Sequence, residues 1–107
     1  MSISALNSGL SGMSAYQRAL DSSAHNVANA NTAGFTPQQV NFQESQSGGV
    51  TVTISKQGNS IATQDASGTD LTSELVYAIQ YKADFDLSAK LVKTSDDILG
   101  TLIDIKA

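Results

Sequence analysis

The sequence predicts a mainly α protein in which two long terminal helices flank a small β-hairpin insertion. Three observations carry that reading. Apolar residues recur at alternating steps of three and four over residues 2–29. A second helical pattern, with two apolar stripes, runs from Asp70 to about Lys106. Between them lies a polar stretch of Gln, Ser, Thr, Asn and Gly with a short period-two alternation inside it. The chain divides accordingly into residues 1–35, 36–69 and 70–107 of one structural unit.

In the first segment the periodic residues are Ile3, Leu6, Leu10, Met13, Leu20, Ala24 and Val27, with only Gln17 interrupting. This heptad spacing predicts a coiled-coil-like seam. A helix of that length is ~40 Å long. Its other faces are unusual, because only Arg18 and Asp21 are formally charged and small residues, including Gly9 and Gly12, fill most of the rest. Each interior Gly costs about 1 kcal/mol relative to Ala. Such a helix needs packing against something else to persist.

The helix has to stop within Asn26-Val27-Ala28-Asn29-Ala30-Asn31-Thr32-Ala33-Gly34-Phe35. The three Asn side chains compete for backbone hydrogen bonds. Gly34 supplies a position that tolerates positive φ, as a helix cap or turn requires. Phe35 is expected to return to a buried environment, and Pro37 prevents the helix from resuming.

In the middle segment, Val40 and Phe42 alternate with polar neighbours over a very short span. Val50, Val52 and Ile54 alternate with Thr51, Thr53 and Ser55, a strand with one buried face. Gln57-Gly58-Asn59-Ser60 has turn chemistry, so the expected hairpin returns through Ile61. Gly48-Gly49 and residues 65–69 read as flexible connectors. Two strands alone are marginal in water, so this hairpin has to lean on a helix or on a neighbouring subunit.

Asp70 is a good N-cap for the last helix, with Glu74 favourably placed in its first turn. One stripe holds Leu71, Leu75, Ala78, Phe85, Ala89, Val92, Leu99 and Leu102, and a second holds Val76, Ile79, Ala83, Leu87, Leu91, Ile98 and Ile105. Two stripes cover more surface than a single antiparallel partner can hide. Lys82–Asp86, Asp86–Lys90 and Lys93–Asp97 are i,i+4 pairs on what remains, each worth about 0.3 kcal/mol.

Composition narrows the function. A net charge of −4 gives no basic field for nucleic acid or an anionic membrane. The absence of Cys excludes disulfides and thiolate metal sites. No apolar run is long enough for a signal peptide or a membrane span, so export, if it occurs, is expected to use another route. The single His25 sits in the helix-terminating stretch, where a capping or surface role is expected. Asp84 and Asp86 diverge around a helix, as do Asp96 and Asp97, so no convergent carboxylate pair is expected. Gly48-Gly49 and Gly58 lack the strand–loop–helix context of a phosphate cradle. No enzyme chemistry, cofactor or metal is therefore expected. The surplus of apolar stripe predicts a subunit made for assembly.

Asn26, Val27, Ala28, Asn29, Thr32, Gly34 and Phe35, following an N-terminal amphipathic helix, resemble the signature of the bacterial flagellar rod and hook axial proteins. Residues 70–76 and 89–99 resemble that family's C-terminal helix. The resemblance implies that the terminal helices pack as an antiparallel, coiled-coil-like pair and assemble into the helical tube of the basal-body rod, closest to a short proximal-rod protein. The expected assembly interface comprises Ile3, Leu6, Leu10, Met13, Leu20, Val27, Leu75, Ile79, Phe85, Leu87, Leu91, Val92, Leu99 and Leu102. Implied partners are further copies, other rod subunits and the flagellar export apparatus. The implied location is the periplasm-spanning rod. A non-polymerising helical-hairpin adaptor or export chaperone is the competing reading.

Overall fold

The computed structural model describes residues 2–46, 48–57 and 66–106. Its elements are α1 (Ser2–Ala28), β1 (Gln38–Glu44), β2 (Val50–Lys56) and α2 (Leu71–Lys106). Asp70 caps α2 as expected: the Ser73 amide donates to its Oδ1 at 3.3 Å, and the Glu74 amide donates to its carbonyl at 3.0 Å. The Lys82–Asp86 and Lys93–Asp97 pairs form, each at 3.1 Å on exposed side chains.

The two helices pack antiparallel. Near one end Gly9 faces Val92, and near the other Ser23 and Asn26 face Glu74. The face of α1 that meets α2 is made of Ala5, Gly9, Gly12, Tyr16, Ala19, Ser23 and Asn26, all buried or half-buried. The facing row of α2 is Glu74, Ala78, Tyr81, Phe85, Ser88, Val92, Ser95 and Leu99. Both rows step by alternating threes and fours, the register of a coiled coil.

The expected seam of α1 is thereby corrected. Leu6, Leu10, Met13, Gln17, Leu20, Ala24 and Val27 each lie one residue after a seam position, which turns them by about 100° away from it. The physical reason is proximity. A Cβ on Gly9 would stand 2.7 Å from Val92 Cγ2, and one on Gly12 would stand 2.6 Å from Ser88 Oγ. The helices meet where side chains are smallest, and leucines on that line would hold them apart. On α2, Ala78, Phe85, Val92 and Leu99 of the first stripe enter the seam, whereas Leu71, Leu75 and Leu102 stay exposed.

The sheet also differs from expectation. β2 holds Val50, Val52 and Ile54, but it pairs back onto β1, with Val40 opposite Ile54 and Phe42 opposite Val52. The connection is the short turn at 45–49, where Gly48 and Gly49 take φ of 88° and 91°. The diglycine is thus a reversal that residues with a Cβ rarely adopt, not a slack linker. Gly58–Ser60 and Ile61, the expected return, lie outside the described residues.

The ribbon lies over α1. At its tip the Val50 amide donates to Ser11 Oγ at 3.0 Å. Further along, Arg18 Nη1 donates to the Val52 carbonyl at 3.4 Å. Val52 is buried beneath the ribbon, and Phe42 packs its ring 5.2 Å from Tyr16 and 5.7 Å from Tyr81. The molecule is long and thin, 66 × 23 × 14 Å, with a radius of gyration of 18.0 Å. A compact chain of this length has a radius of about 13 Å.

Candidate assembly surface and the junction that orders it

The helix-terminating stretch builds a three-way junction around Asn26. This side chain is 1% exposed and every one of its polar groups is used. Its Nδ2 donates to the Gln38 carbonyl at 2.9 Å and to Glu74 Oε1 at 2.8 Å, while its Oδ1 accepts from the Gln38 amide at 2.7 Å. Ser23, one turn earlier on the same face, places its hydroxyl 3.0 Å from the Glu74 carbonyl oxygen and 2.9 Å from Oε2, its single proton shared between the two acceptors. Thr69 Oγ1 donates to the Asn26 carbonyl at 3.2 Å, and Ser22 Oγ bonds Gln38 Oε1 at 2.7 Å. The end of α1, the start of β1 and the start of α2 are therefore fixed to one another.

Downstream, Asn29 Nδ2 returns to the His25 carbonyl at 2.9 Å, and Thr32 Oγ1 meets Asn29 Oδ1 at 3.1 Å. The Phe35 amide donates to the Thr32 carbonyl at 3.2 Å, and Gly34 has φ of 74°. This is a β-turn whose third residue is left-handed, which suits Gly. Gly34 has the positive φ expected of it, but as a turn residue beyond the end of α1 at Ala28. Phe35 is half-buried against the edge of the His25 ring, with centroids 5.4 Å apart, and Pro37 is buried. Val27 is half-buried and Ala28 exposed. Ala66 and Gly68 then close on the motif, through Gly34 N–H to the Ala66 carbonyl at 3.1 Å and Gly68 N–H to the Phe35 carbonyl at 2.8 Å.

The junction positions the helices so that their larger apolar side chains point outward. On α1, Leu6, Met13 and Leu20 are half-buried, and Ile3 and Leu10 are exposed. On α2, Leu75, Ile79, Leu87, Leu91 and Leu102 are exposed, with Ile79 at 72% and Leu87 at 68%, and Phe85, Val92 and Leu99 are half-buried in the seam. The total accessible surface is 7205 Å². A compact monomer of this mass exposes about 5,700 Å².

The chain matches two family models. Residues 6–36, from α1 through the Asn and Gly motif, match the model described as Flagella basal body rod protein. Residues 63–105 match the model described as Flagellar basal body rod FlgEFG protein C-terminal. The chain belongs to the flagellar rod and axial protein family. Comparison with curated proteins finds no match.

Both models describe structural parts of the flagellar rod, and together they cover most of the two helices and the Ser23, Asn26 and Glu74 side of the junction of this rod-family chain, while leaving Gln38 with the rest of β1 and β2 outside. Among the described residues, no group of three or more His, Cys, Asp or Glu is arranged to hold a metal. Nor is any helix there long and apolar enough to cross a membrane. Sequence reading missed Ser23, Gln38 and the inward turn of Glu74. The available signal was Ser23 and Asn26 three apart on a helix, with an acidic residue one turn into the other helix.

Proposed function

We propose that this rod-family chain is a structural subunit of the flagellar basal-body rod, closest to the proximal rod. In this reading its terminal helices self-assemble into a helical tube that crosses the periplasm and transmits torque. The observation that carries it is the inverted distribution of side chains. The α1 side of the intramolecular seam is Gly, Ala, Ser and Asn with one Tyr, and the α2 side adds Tyr81, Phe85, Val92 and Leu99 to small and polar residues, while most of the leucines and isoleucines of both helices face away from it. Neighbouring copies and other rod subunits would cover those side chains, and burial contributes about 25 cal/mol per Å² of apolar surface. Delivery falls to the flagellar export apparatus. This reading gives nucleic acid no part, given the charge of −4, and direct membrane insertion none, since no helix among the described residues is long and apolar enough to span.

The test is to follow a tagged copy into purified basal bodies and to delete the gene. Co-purification with the rod and loss of motility are expected. A fully motile deletion strain with no paralogue, or a tagged copy confined to the cytoplasm as a stable dimer, would overturn the rod reading in favour of an adaptor or export chaperone.

A further inference from the structure

Among the described residues, the ribbon has one outer edge that is used and one that is left open. The bonds at its two ends, Gln57 N–H to the Pro37 carbonyl and Ser45 N–H to the Gly49 carbonyl, set the alternation of the ladder. Antiparallel strands alternate bonded and non-bonded pairs. Gln39, Asn41 and Gln43 therefore bond to β2, and Gln38, Val40, Phe42 and Glu44 turn their N–H and C=O groups outward. On β2 the outward groups of Val50 and Val52 meet Ser11 and Arg18 of α1. On β1 only Gln38 is met, by the Asn26 amide. Among the described residues, nothing bonds the outward backbone of Val40, Phe42 or Glu44.

That edge looks across a cleft of about 220 Å³ to α2, lined by Val40, Asn26, Glu74, Tyr77 and Tyr81. The β1 backbone stays clear of α2, and the Phe42 ring reaches that helix at Tyr81. A further strand sits about 4.8 Å beyond its neighbour. Added to β1, it would lie over Tyr77, which is exposed, and Tyr81. Between Val40 and Glu44 the edge carries neither Pro nor Lys. Its open end is acidic. Glu44 shares the face of Phe42, and Asp84, one turn beyond Tyr81, lies within electrostatic reach of the Tyr16 and Tyr81 phenols. Arg18 is engaged at the opposite edge.

We propose that the outer edge of β1 is a strand-addition site for an extended, cationic segment of another protein. Its backbone would pair with Val40, Phe42 and Glu44, and its basic side chains would reach Glu44 and Asp84. Asn26 already stands in the first place of that third strand, so the incoming segment continues a register that the fold has begun. The proposal is independent of the rod reading, since peptide binding and basal-body localisation can each fail alone.

The test titrates the isotope-labelled full chain with a capped Lys-Val-Lys-Val-Lys-Val peptide, and with its Glu-Val counterpart as control, observing backbone amides by NMR. The expected result is saturable shifts of the Val40, Phe42 and Glu44 amides with the basic peptide alone, while Asn41 and Gln43 keep their protection. Val40→Pro removes one outward N–H without touching the β1–β2 ladder and should weaken binding roughly tenfold. Glu44→Lys should weaken it roughly fivefold, less so at high salt. Equal binding of both peptides, indifference to both variants, shifts confined to the outer leucines of α2, or occupation of these amides by a second copy without peptide would each overturn it.

Discussion

Asn26 presents its amide to the backbone of Gln38 as a neighbouring strand would, donating at 2.9 Å and accepting at 2.7 Å, and passes its second N–H to Glu74. All of these groups are buried or half-buried, so each loses its partner when the side chain is removed. Asn26→Ala is expected to destabilise the fold by about 3 kcal/mol, from unsatisfied groups costing about 1–3 kcal/mol each. Asn26→Asp should cost more, because it replaces a donor to Glu74 with an acidic oxygen beside it. Urea unfolding of the three proteins checks the order. At Gly34 the backbone conformation is the issue. With φ of 74°, Gly34→Val should cost about 1–3 kcal/mol in chemical denaturation. Ala33→Val, at a negative-φ position, should cost well under half of that. Equal losses would remove the turn from the account.

At the scale of elements, the glycines separate by what faces them. Gly9 and Gly12 lie under Val92 and Ser88, whereas a Cβ on Gly100 meets nothing within 4 Å. Gly100→Ala should stabilise by about 1 kcal/mol through helix propensity alone. Gly9→Leu or Gly12→Leu should force the helices apart and lower the midpoint of thermal unfolding, since overpacking costs about 1–3 kcal/mol. The ribbon gives a pH-dependent prediction. Tyr16 has its pKa raised by burial and then by Asp84, and Tyr81 by burial and then by Glu74, Tyr77 and Asp84. Raised values mean that the folded state prefers the neutral phenols. Their contribution is fully present below about pH 10, the unfolded value, and is lost as pH rises through the folded ones. Alkaline titration followed by phenolate absorbance should show both above an unfolded reference, and Tyr16→Phe with Tyr81→Phe should flatten the alkaline decline in stability.

Both helices, the Asp70 cap and the β2 strand were legible because each is a local pattern. The face on which the helices meet was not. The rows Ala5 to Asn26 and Leu6 to Val27 have the same period and differ by one residue, and size alone chose the wrong one. Apolar periodicity finds the side chains that need cover, but in this chain the helix pairing leaves them exposed or half-buried. The pairing of β2 was misread for a related reason. Gly48-Gly49 read as a flexible connector, and the cross-strand fit of Val40 with Ile54 and Phe42 with Val52 that makes it a reversal is not a local pattern. The junction was half legible: the motif pointed to Asn26, while its partners Gln38 and Glu74 are distant in sequence.

For the whole molecule, incorporation into a rod should change protection more than secondary structure. In dilute subunit the amides from Leu6 to Val27 and from Leu87 to Leu102 are expected to exchange fast for helices of this length. The seam between them holds few large side chains, and opening free energies follow buried apolar contact. In assembled rods the same amides should slow by roughly two orders of magnitude or more, about 3 kcal/mol of added protection. Identical exchange in the two states would show that the helices gain nothing from neighbours.

The thinness of the molecule, 14 Å in its shortest dimension, has a consequence for how such a structure would begin. Two helices side by side with a ribbon over one of them have little inside of their own, and two copies meeting in solution cover only one flank of each other. Most of the stabilisation in the proposed tube then arrives with the third and fourth neighbour, present together only at an end that already exists. Free subunits should therefore stay dispersed at concentrations where a growing tip captures them. The place of growth would be dictated by whatever supplies the first ring.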